Sequence, residues 1–477
     1  MTTVLSANGY KILKKEYSSK VIKEIKDELT VKPFNNFNKS QMNSDAGKFA
    51  VFMESPNKLY LPRFYGLEKL GIPTKNQMNE GDDINLKFNG SLREEQNPIE
   101  DIYLKNAYEK GGGIISIRCG GGKTVLALHI VSVLKKKAIV IVHKDFLMTQ
   151  WRDRILEFLP EARIGKIQQN TIDIEGKDIV LAMVQSLSMK EYDEGTFDSF
   201  GLAIFDECHH LGAEVFSKSM SKVASKYMLG LSATPKRKDG LTKVFEWYMG
   251  GIVYLQTKKN EDYAEVQLIE CKLSDGKYDK VEVNFRKEPC MPKMINNICE
   301  CFQRAELIRD LVKKYNKEGR NILILSDRRG HLELLYNMLN GYSLGFYVGG
   351  MKPDELRESQ EKEIILATFS MASEGMDIPK LNTVILASPK SDIEQSVGRI
   401  FRQKASVRKF HPLIIDIQDN FSMFQKQCEK RIIFYRKSNF TLFKEGEEIL
   451  KKNKKNKKNK KEVEKGKEKI PDFSLID

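Results

Sequence analysis

The chain has 477 residues, of which 41% are hydrophobic, and its formal net charge is +14 at pH 7. This length suits two or three domains with packed cores. The sequence has no signal-peptide pattern and no apolar run of the roughly 18 residues that a membrane span needs, which argues against a secreted or membrane protein. The seven cysteines lack framework spacing, so we expect an intracellular, reducing compartment and no membrane partner.

Residues 1–85 precede every motif that carries chemistry, and we predict an accessory region there. A helix is expected after Ser18 or Ser19, either of which can cap it. The apolar residues at helical spacing are Val21, Ile22, Ile25 and Leu29. Residues 58–66 mix basic and aromatic side chains. This mixture fits either a surface that stacks bases or a packed loop, and packing is favoured because most aromatic side chains are buried.

A glycine loop lies between a strand pattern at 114–117 and a helix pattern at 125–128. Its residues are Gly120, Gly121, Gly122, Lys123 and Thr124. Backbone N–H groups of such a loop point at phosphate oxygens, and the helix N-terminus favours negative charge. Lys123 would reach the β- and γ-phosphates, and the Thr124 hydroxyl would bind Mg²⁺. The pattern therefore predicts a nucleoside triphosphate site.

Two residues depart from the full phosphate-loop pattern. Ile117 stands where the pattern has its first glycine, and Arg118 is bulky for a loop that surrounds phosphates. These departures leave open an unusual loop or a weakened site. Just upstream, residues 111–113 are three glycines, which we expect to form a flexible turn.

Two carboxylates follow the apolar strand pattern at 202–205. Asp206 would hold Mg²⁺, and Glu207 would orient or polarise the attacking water. Residues 208–210 are Cys-His-His, but a zinc site there is disfavoured because the chain has no CxxC pair.

Short apolar strand patterns alternate with helix patterns along two parts of the chain, which predicts parallel sheets covered on both faces. In the first part they are 138–142, 179–183, 202–205 and 228–231; in the second they are 322–325, 345–348, 364–367, 384–387 and 413–417. We therefore expect an α/β fold with a first motor domain at 86–255, a connector at 256–300 and a second motor domain at 301–440. The connector should contain polar strand-like pieces such as 265–269. A helical pattern from Met294 to a C-cap at Gly319 leads into the second domain.

Residues 441–477 form a lysine-rich tail of low complexity. Residues 451–470 alone contain eleven lysines and three glutamates, which supply +8 of the net charge. Such a segment cannot bury enough surface to fold alone. It would contact a polyanion or serve as a localisation signal, or it is a solvated tail; the sequence leaves these alternatives open.

Several spaced motifs in a fixed order resemble those of superfamily two helicases of the DExH type. They are Gln96; the glycine loop; Asp206-Glu207-Cys208-His209; Ser232-Ala233-Thr234; Thr368 with Ser373 to Asp377; and Gln395 to Arg402, which resembles QxxGRxxR. The resemblance covers roughly residues 88–440. It implies two tandem RecA-like lobes with parallel sheets, and ATP and Mg²⁺ as cofactors.

The resemblance also implies roles for particular residues. Gln96 would bond the adenine edge, and Gly375 and Asp377 would contact nucleotide from the second lobe. Gln395, Arg399 and Arg402 belong to the catalytic set, with Arg402 as the arginine finger at the γ-phosphoryl group. In the motif that links hydrolysis to domain movement, the coupling residues are Ser232 and Thr234.

A motor must also grip a nucleic-acid strand, and we expect phosphate contacts from loops of both lobes that do not read sequence. The candidates are His143, Lys144, Gln150, Gln185 and Ser186 in the first lobe, and Ser326, Arg328 and Thr368 in the second. For His143, a bonded core histidine is the alternative.

Residues 230–240, 321–329 and 347–351 are similar to a finer branch, the viral relatives of the XPB helicase that include the poxvirus transcript-release helicase. This resemblance implies a 3′ to 5′ DNA helicase in viral transcription or genome maintenance. The expected partners are transcription machinery and nucleic acid, with DNA favoured over RNA. The protein is expected to be a monomer located in host cytoplasm, a virus factory or the virion. The alternatives are an RNA helicase, a double-strand DNA translocase that does not separate strands, and a non-catalytic clamp.

Overall fold

The computed structural model describes residues 2–33, 47–117, 120–207, 213–233, 240–256, 263–273, 276–374, 376–403 and 407–449. The chain divides into two compact units, residues 1–258 with 374–376, and residues 259–373 with 377–477. No helix within these described ranges is long and apolar enough to cross a membrane.

The first unit begins with a small α/β region. Its strands and helices are β1 Thr3–Ser6, β2 Gly9–Leu13, α1 Ser19–Glu28, β3 Thr30–Val31, β4 Phe49–Ala50, β5 Met53–Glu54, β6 Lys58–Leu61, α2 Arg63–Leu70 and β7 Lys75–Gln77. Five strands form a sheet in the order β5-β6-β2-β1-β7, and β3 pairs separately with β4. The predicted serine-capped helix is confirmed, because the Ser18 hydroxyl accepts the Val21 N–H at the start of α1.

The basic and aromatic segment 58–66 is packed against the core of the first unit. Leu59, Leu61 and Tyr65 are buried in the core that this region shares with the following sheet. Arg63 donates from Nη1 to the Lys226 carbonyl at 2.8 Å. This segment is therefore part of the fold of the first unit, and the packing alternative is the one the structure supports.

The second part of the first unit is an eight-stranded sheet with helices on its faces. Its elements are α3 Asn97–Lys110, β8 Gly112–Ser116, α4 Lys123–Leu134, β9 Ala138–Val142, α5 Asp145–Phe158, β10 Ile164–Gln168, β11 Thr171–Asp173, β12 Ile179–Met183, α6 Val184–Met189, β13 Leu202–Asp206, α7 Ala213–Met220, β14 Tyr227–Ser232, α8 Thr242–Met249 and β15 Ile252–Leu255. The strand order is β11-β10-β12-β9-β13-β14-β8-β15. All neighbours are parallel except β10 and β11, which confirms the predicted fold class for this part.

The glycine triplet at 111–113 is not a flexible turn, so that prediction was wrong. Gly111 ends α3 in the left-handed conformation, and Gly112 and Gly113 are the first residues of β8. A Cβ on Gly112 would lie 2.5 Å from the Met228 carbonyl oxygen, and one on Gly113 would lie 2.5 Å from Val253 Cγ1. Glycine is required here because neighbouring strands and side chains approach the backbone closely.

The second unit contains another eight-stranded sheet. Its elements are β16 Glu265–Glu270, α9 Met291–Glu300, α10 Phe302–Lys317, β17 Ile322–Ser326, α11 Arg329–Met338, β18 Leu344–Tyr347, α12 Pro353–Gln360, β19 Ile364–Thr368, α13 Phe369–Glu374, β20 Thr383–Leu386, α14 Glu394–Val397, β21 Leu413–Gln418, α15 Ser422–Lys437, β22 Thr441–Lys444 and β23 Glu447–Glu448. The strand order is β18-β19-β17-β20-β21-β16-β22-β23, parallel except for the β22–β23 pair.

Three expectations for this unit differ from the structure. The strand at 265–270, expected in a connector, pairs in parallel with β21 and β22 inside the sheet. Residues 441–444 and 447–448, expected in the tail, form the last two strands. The predicted long helix is interrupted at Cys301, whose extended backbone separates α9 from α10. Residues 450–477 lie outside the described residues.

Candidate active site

The glycine loop at 120–124, the predicted phosphate loop, follows β8 and leads into α4. Ile117 is buried and its N–H donates to the Ser232 carbonyl at 3.0 Å, so it extends the strand edge and is not part of the loop's bend. Gly120 and Gly122 have φ of 78° and 76°, a left-handed conformation that L side chains rarely adopt. Helix α4 begins at Lys123 directly after Gly122, so the N–H groups of its first turn are directed towards the loop, where a phosphate group would bind.

Gln96 braces this loop from the start of α3. Its side chain is buried, and Nε2 donates to the carbonyls of Gly121 at 3.2 Å and Gly122 at 3.1 Å. Its Oε1 accepts the Arg93 N–H at 3.0 Å. A Cβ on Gly122 would lie 2.6 Å from the Gln96 Nε2. The residue that we expected to bind adenine therefore holds the phosphate loop in this structure.

Strand order brings the acidic motif next to the loop. Strand β13 lies between β9 and β14, and β14 lies next to β8, so residues at these strand ends share one edge of the sheet. Asp206 is the last residue of β13, and Ser232 is the buried last residue of β14. Glu207 follows Asp206 with φ of 49°, and one carboxylate oxygen accepts the Ala233 N–H at 3.4 Å.

Lys123 and Glu207 form an ion pair across this edge. The Lys123 Nζ lies 2.5 Å from the Glu207 Oε1, and both side chains are almost buried. The cation expected to bind phosphate and the carboxylate expected to orient water are thus in direct contact. This contact joins the start of α4 to the end of β13.

Asp206 is the buried carboxylate of the site. The indole N–H of Trp151, on α5, donates to Asp206 Oδ2 at 2.8 Å. Burial, and then the neighbouring Glu207 charge, raises the pKa of Asp206 to about 6, while Lys123, Trp151 and His143 act in the opposite direction. A cation placed here would favour the charged carboxylate.

The donors at this edge fit Mg²⁺. Asp206 and the Thr124 hydroxyl could supply oxygen ligands, and the described ranges contain no group of three or more His, Cys, Asp or Glu side chains placed to hold a metal ion by themselves. Mg²⁺ needs only one or two ligands from the protein, because it keeps several waters and takes substrate phosphate oxygens as its other ligands. When bound, the ion would neutralise phosphate charge. Residues 208–210, the disfavoured zinc motif, lie outside the described residues.

The expected strand contacts of the first unit do not all lie on loops. Gln150 is on α5, and Gln185 and Ser186 are on α6, so the loop placement was wrong for these three. Gln185 Nε2 donates to the His143 carbonyl at 3.0 Å.

These candidates also differ in how deeply their side chains are buried. Ser186 is buried, and its hydroxyl accepts the Gln169 N–H at 2.9 Å. His143 is buried near enough to Asp206 to affect its pKa, which favours the core-histidine alternative. Lys144 is half-buried at the N-cap of α5, with Nζ 5.9 Å from the centre of the Phe146 ring.

In the second unit, the expected strand contacts lie at or near strand ends. Ser326 is the fully buried last residue of β17, and its hydroxyl lies 3.1 Å from His331 Nδ1. Arg328, just before α11, donates from Nε to the Asn296 side-chain oxygen at 2.6 Å. Thr368 is the half-buried last residue of β19. The burial of Ser326 disfavours a direct phosphate contact by that residue.

The arginine motif occupies a short helical segment of the second unit. Gln395 lies on α14, and Arg399 is buried in the following 3₁₀ helix Gly398–Phe401. The Arg399 guanidinium donates to the carbonyls of Ala372 and Ser373. Arg402 Nε lies 3.7 Å from Asp377 Oδ1. Two expected site residues, Thr234 and Gly375, lie outside the described residues.

Trp151 is the site residue that the sequence analysis missed. It lies on α5 beside Gln150, and nothing in the local sequence points to Asp206. The one available signal was its residue type, because a buried tryptophan needs an acceptor for its indole N–H.

Parallel sheets, a phosphate loop and carboxylates at an adjacent strand end define an ATPase with two RecA-like domains. Residues 89–237 match the family described as type III restriction enzyme, res subunit, and residues 303–404 match the helicase conserved C-terminal domain.

Two viral proteins are similar to this chain over most of its length. L396 of Acanthamoeba polyphaga mimivirus, a candidate ATP-dependent RNA helicase by name, is 36% identical over 456 residues, which cover 93% of this chain and 86% of L396. A candidate helicase of Invertebrate iridescent virus 6, 161L, is 26% identical over 393 residues, which cover 77% of this chain and 85% of 161L. The crystal structure of T4 UvsW aligns over 93% of this chain and 99% of the UvsW chain, at 17% identity and with a TM-score of 0.39. The chain belongs to helicase superfamily two, and it is an ATPase of the helicase class.

Proposed function

We propose that this protein is a translocase of the DExH group, which uses ATP hydrolysis to move along a nucleic-acid strand and to separate duplexes. The observation that carries the proposal is the contact of Lys123 with Glu207 beside the buried Asp206. These are the groups that phosphate binding, water activation and metal binding require. A non-catalytic clamp would have no need to keep all three at one strand end.

Lys123 and the N–H groups of the loop would bind the phosphates. Glu207 would then separate from Lys123 and orient the attacking water. Arg399 and Arg402 would stabilise charge that develops on the γ-phosphoryl group, with Arg402 as the finger. Gln395, Asp377 and Gly375 would assist at the nucleotide, and Ser232 and Thr234 would link hydrolysis to movement. We also propose a first motor domain at 86–255 and a second at 301–440. The strands at 265–270, 441–444 and 447–448 extend the second domain.

For the substrate, we propose DNA and 3′ to 5′ movement, on the similarity of residues 230–240, 321–329 and 347–351 to the XPB-like viral branch. An RNA helicase is the second candidate, and the name of the mimivirus relative favours it. The two viral relatives support a viral origin, with a monomer acting in transcript release or genome maintenance in host cytoplasm, a virus factory or the virion.

The test is steady-state ATP hydrolysis with no polymer, single-stranded DNA, double-stranded DNA and single-stranded RNA. Glu207→Gln and Lys123→Ala serve as inactive controls. Strong stimulation by DNA, absent in both controls, supports the proposal, and strand displacement on tailed duplexes then tests polarity. Stimulation by RNA alone replaces DNA with RNA as the substrate. Full activity of Lys123→Ala would refute the phosphate-loop assignment.

A further inference from the structure

One hydrogen bond at the active site connects two residues that lie 55 positions apart. Trp151 is 2% exposed, and its indole N–H donates to Asp206 Oδ2 at 2.8 Å. Asp206 is itself 8% exposed. Among the described residues, this is the one tryptophan that contacts a motif carboxylate; the other, Trp247, packs edge-on against the Tyr65 ring at 5.5 Å.

The bond constrains how Asp206 can bind a metal. An indole N–H is a donor only, so it fixes the carboxylate oxygen that accepts it. With one lone pair of Oδ2 taken by the Trp151 N–H, Oδ1 is the oxygen that keeps both of its lone pairs for the cation. Groups that hold a ligating carboxylate in place tune metal binding, although they do not touch the metal themselves.

We propose that Trp151 is a positioning residue for Asp206, holding Oδ2 so that Oδ1 faces the Mg²⁺ that accompanies the nucleotide. This inference rests on the proposed function, because it assumes that Asp206 is the metal-binding carboxylate. Trp151 belongs to none of the helicase-like motifs quoted above.

The test compares Trp151→Phe with Trp247→Phe, the same substitution at the other tryptophan. Affinity for a fluorescent, non-hydrolysable ATP analogue is measured with Mg²⁺ and with EDTA. For Trp151→Phe we expect unchanged affinity in EDTA and a loss of roughly 10- to 100-fold in apparent Mg²⁺ affinity, the usual range for groups that hold a metal ligand. Trp247→Phe should match the wild-type protein in both conditions.

Two further variants separate the hydrogen bond from ring packing. Replacing Trp151 with 3-benzothienylalanine keeps the bicyclic ring but exchanges the N–H for sulfur, and it should reproduce the Mg²⁺ defect of Trp151→Phe. In an Asp206→Asn background, Trp151→Phe should cause no additional loss of Mg²⁺ affinity, because the two residues act as one unit.

Full Mg²⁺ affinity of Trp151→Phe, an equal defect in Trp247→Phe, normal behaviour of the benzothienyl variant, or an additive defect in the Asp206→Asn background would each overturn the positioning role. Failure of the wild-type protein to bind the analogue would instead overturn the proposed function.

Discussion

The ammonium of Lys123 lies 2.5 Å from a carboxylate oxygen of Glu207, and the two groups neutralise each other inside the site. In the proposed mechanism both are needed for hydrolysis, in different places: Lys123 at phosphate and Glu207 at water. Nucleotide binding must therefore compete with this ion pair. The ion pair would therefore lower the affinity of Lys123 for phosphate.

Removing the Glu207 charge should separate nucleotide affinity from turnover. We expect Glu207→Gln to bind ATP about 3- to 10-fold more tightly, because Lys123 then has no charge-assisted hydrogen bond to Glu207 to break before it binds phosphate. The same variant should show no measurable hydrolysis. Isothermal titration at matched Mg²⁺, beside steady-state turnover, checks both results. Weaker ATP binding by this variant would contradict the competition.

Gly122→Ala should damage the phosphate loop in two ways. The added methyl would meet the Gln96 amide, and the left-handed backbone at Gly122 costs an L residue about 1–2 kcal/mol. We expect nucleotide affinity to fall roughly tenfold or more, since 1.4 kcal/mol corresponds to one factor of ten. Gly251→Ala is the matched control, because its Cβ would meet nothing within 4 Å. Equal affinities for the two variants would argue against the loop geometry.

His331 should make the second unit sensitive to acid. Burial, and then the charge of Arg304, lowers the pKa of His331 to about 3. The unfolded chain takes up a proton below pH 6.5 while the native state stays neutral, so stability falls as pH drops from 6.5 towards 3. At pH 5 this amounts to about 2 kcal/mol. His331→Gln should flatten that part of the pH profile in urea denaturation, and an unchanged slope would contradict the assignment.

The Arg431–Asp416 pair should be a strong structural contact. Arg431 Nη2 lies 2.7 Å from Asp416 Oδ1, both side chains are buried, and the Tyr435 hydroxyl donates to the other oxygen at 2.9 Å. Arg431→Met leaves a buried carboxylate without its cation, which costs about 3–5 kcal/mol.

Arg309→Met, at the solvent-exposed pair with Asp310, is the matched control and should leave the melting temperature almost unchanged, because surface ion pairs contribute little to stability. Thermal unfolding distinguishes the two substitutions. Similar melting temperatures for both variants would mean that the buried pair contributes no more than the exposed one.

The basic tail should be removed at residue 450 and not at 445. A cut at 445 would delete Glu447–Glu448, which pairs with β22 in the second sheet. Deleting 450–477 removes eleven lysines and leaves this hairpin intact. We expect the slope of log affinity for duplex DNA against log salt to fall by at least about 2, because each phosphate contact contributes about 0.9. An unchanged slope would identify the tail as a solvated segment.

The amino-acid sequence by itself determined the parts of this protein that depend on local pattern. The loop from Gly120 to Thr124 follows from glycine's access to left-handed backbone, and continuous apolar runs such as 138–142 predicted strands buried on both faces. Placing Asp206 at the end of such a run was enough to predict a carboxylate beside the loop, because parallel strands present their carboxyl ends at one edge.

Only the tertiary structure decided which partner each side chain takes. The Trp151 indole, the Gln96 amide and the Lys123 ammonium each had several possible acceptors, and long-range packing selected Asp206, the loop carbonyls and Glu207. The same holds for strand 265–270, whose polar sequence indicated a connector until two distant strands supplied its hydrogen bonds. Local pattern specifies backbone conformation, but a buried polar group is satisfied by whatever the fold brings within about 3 Å of it.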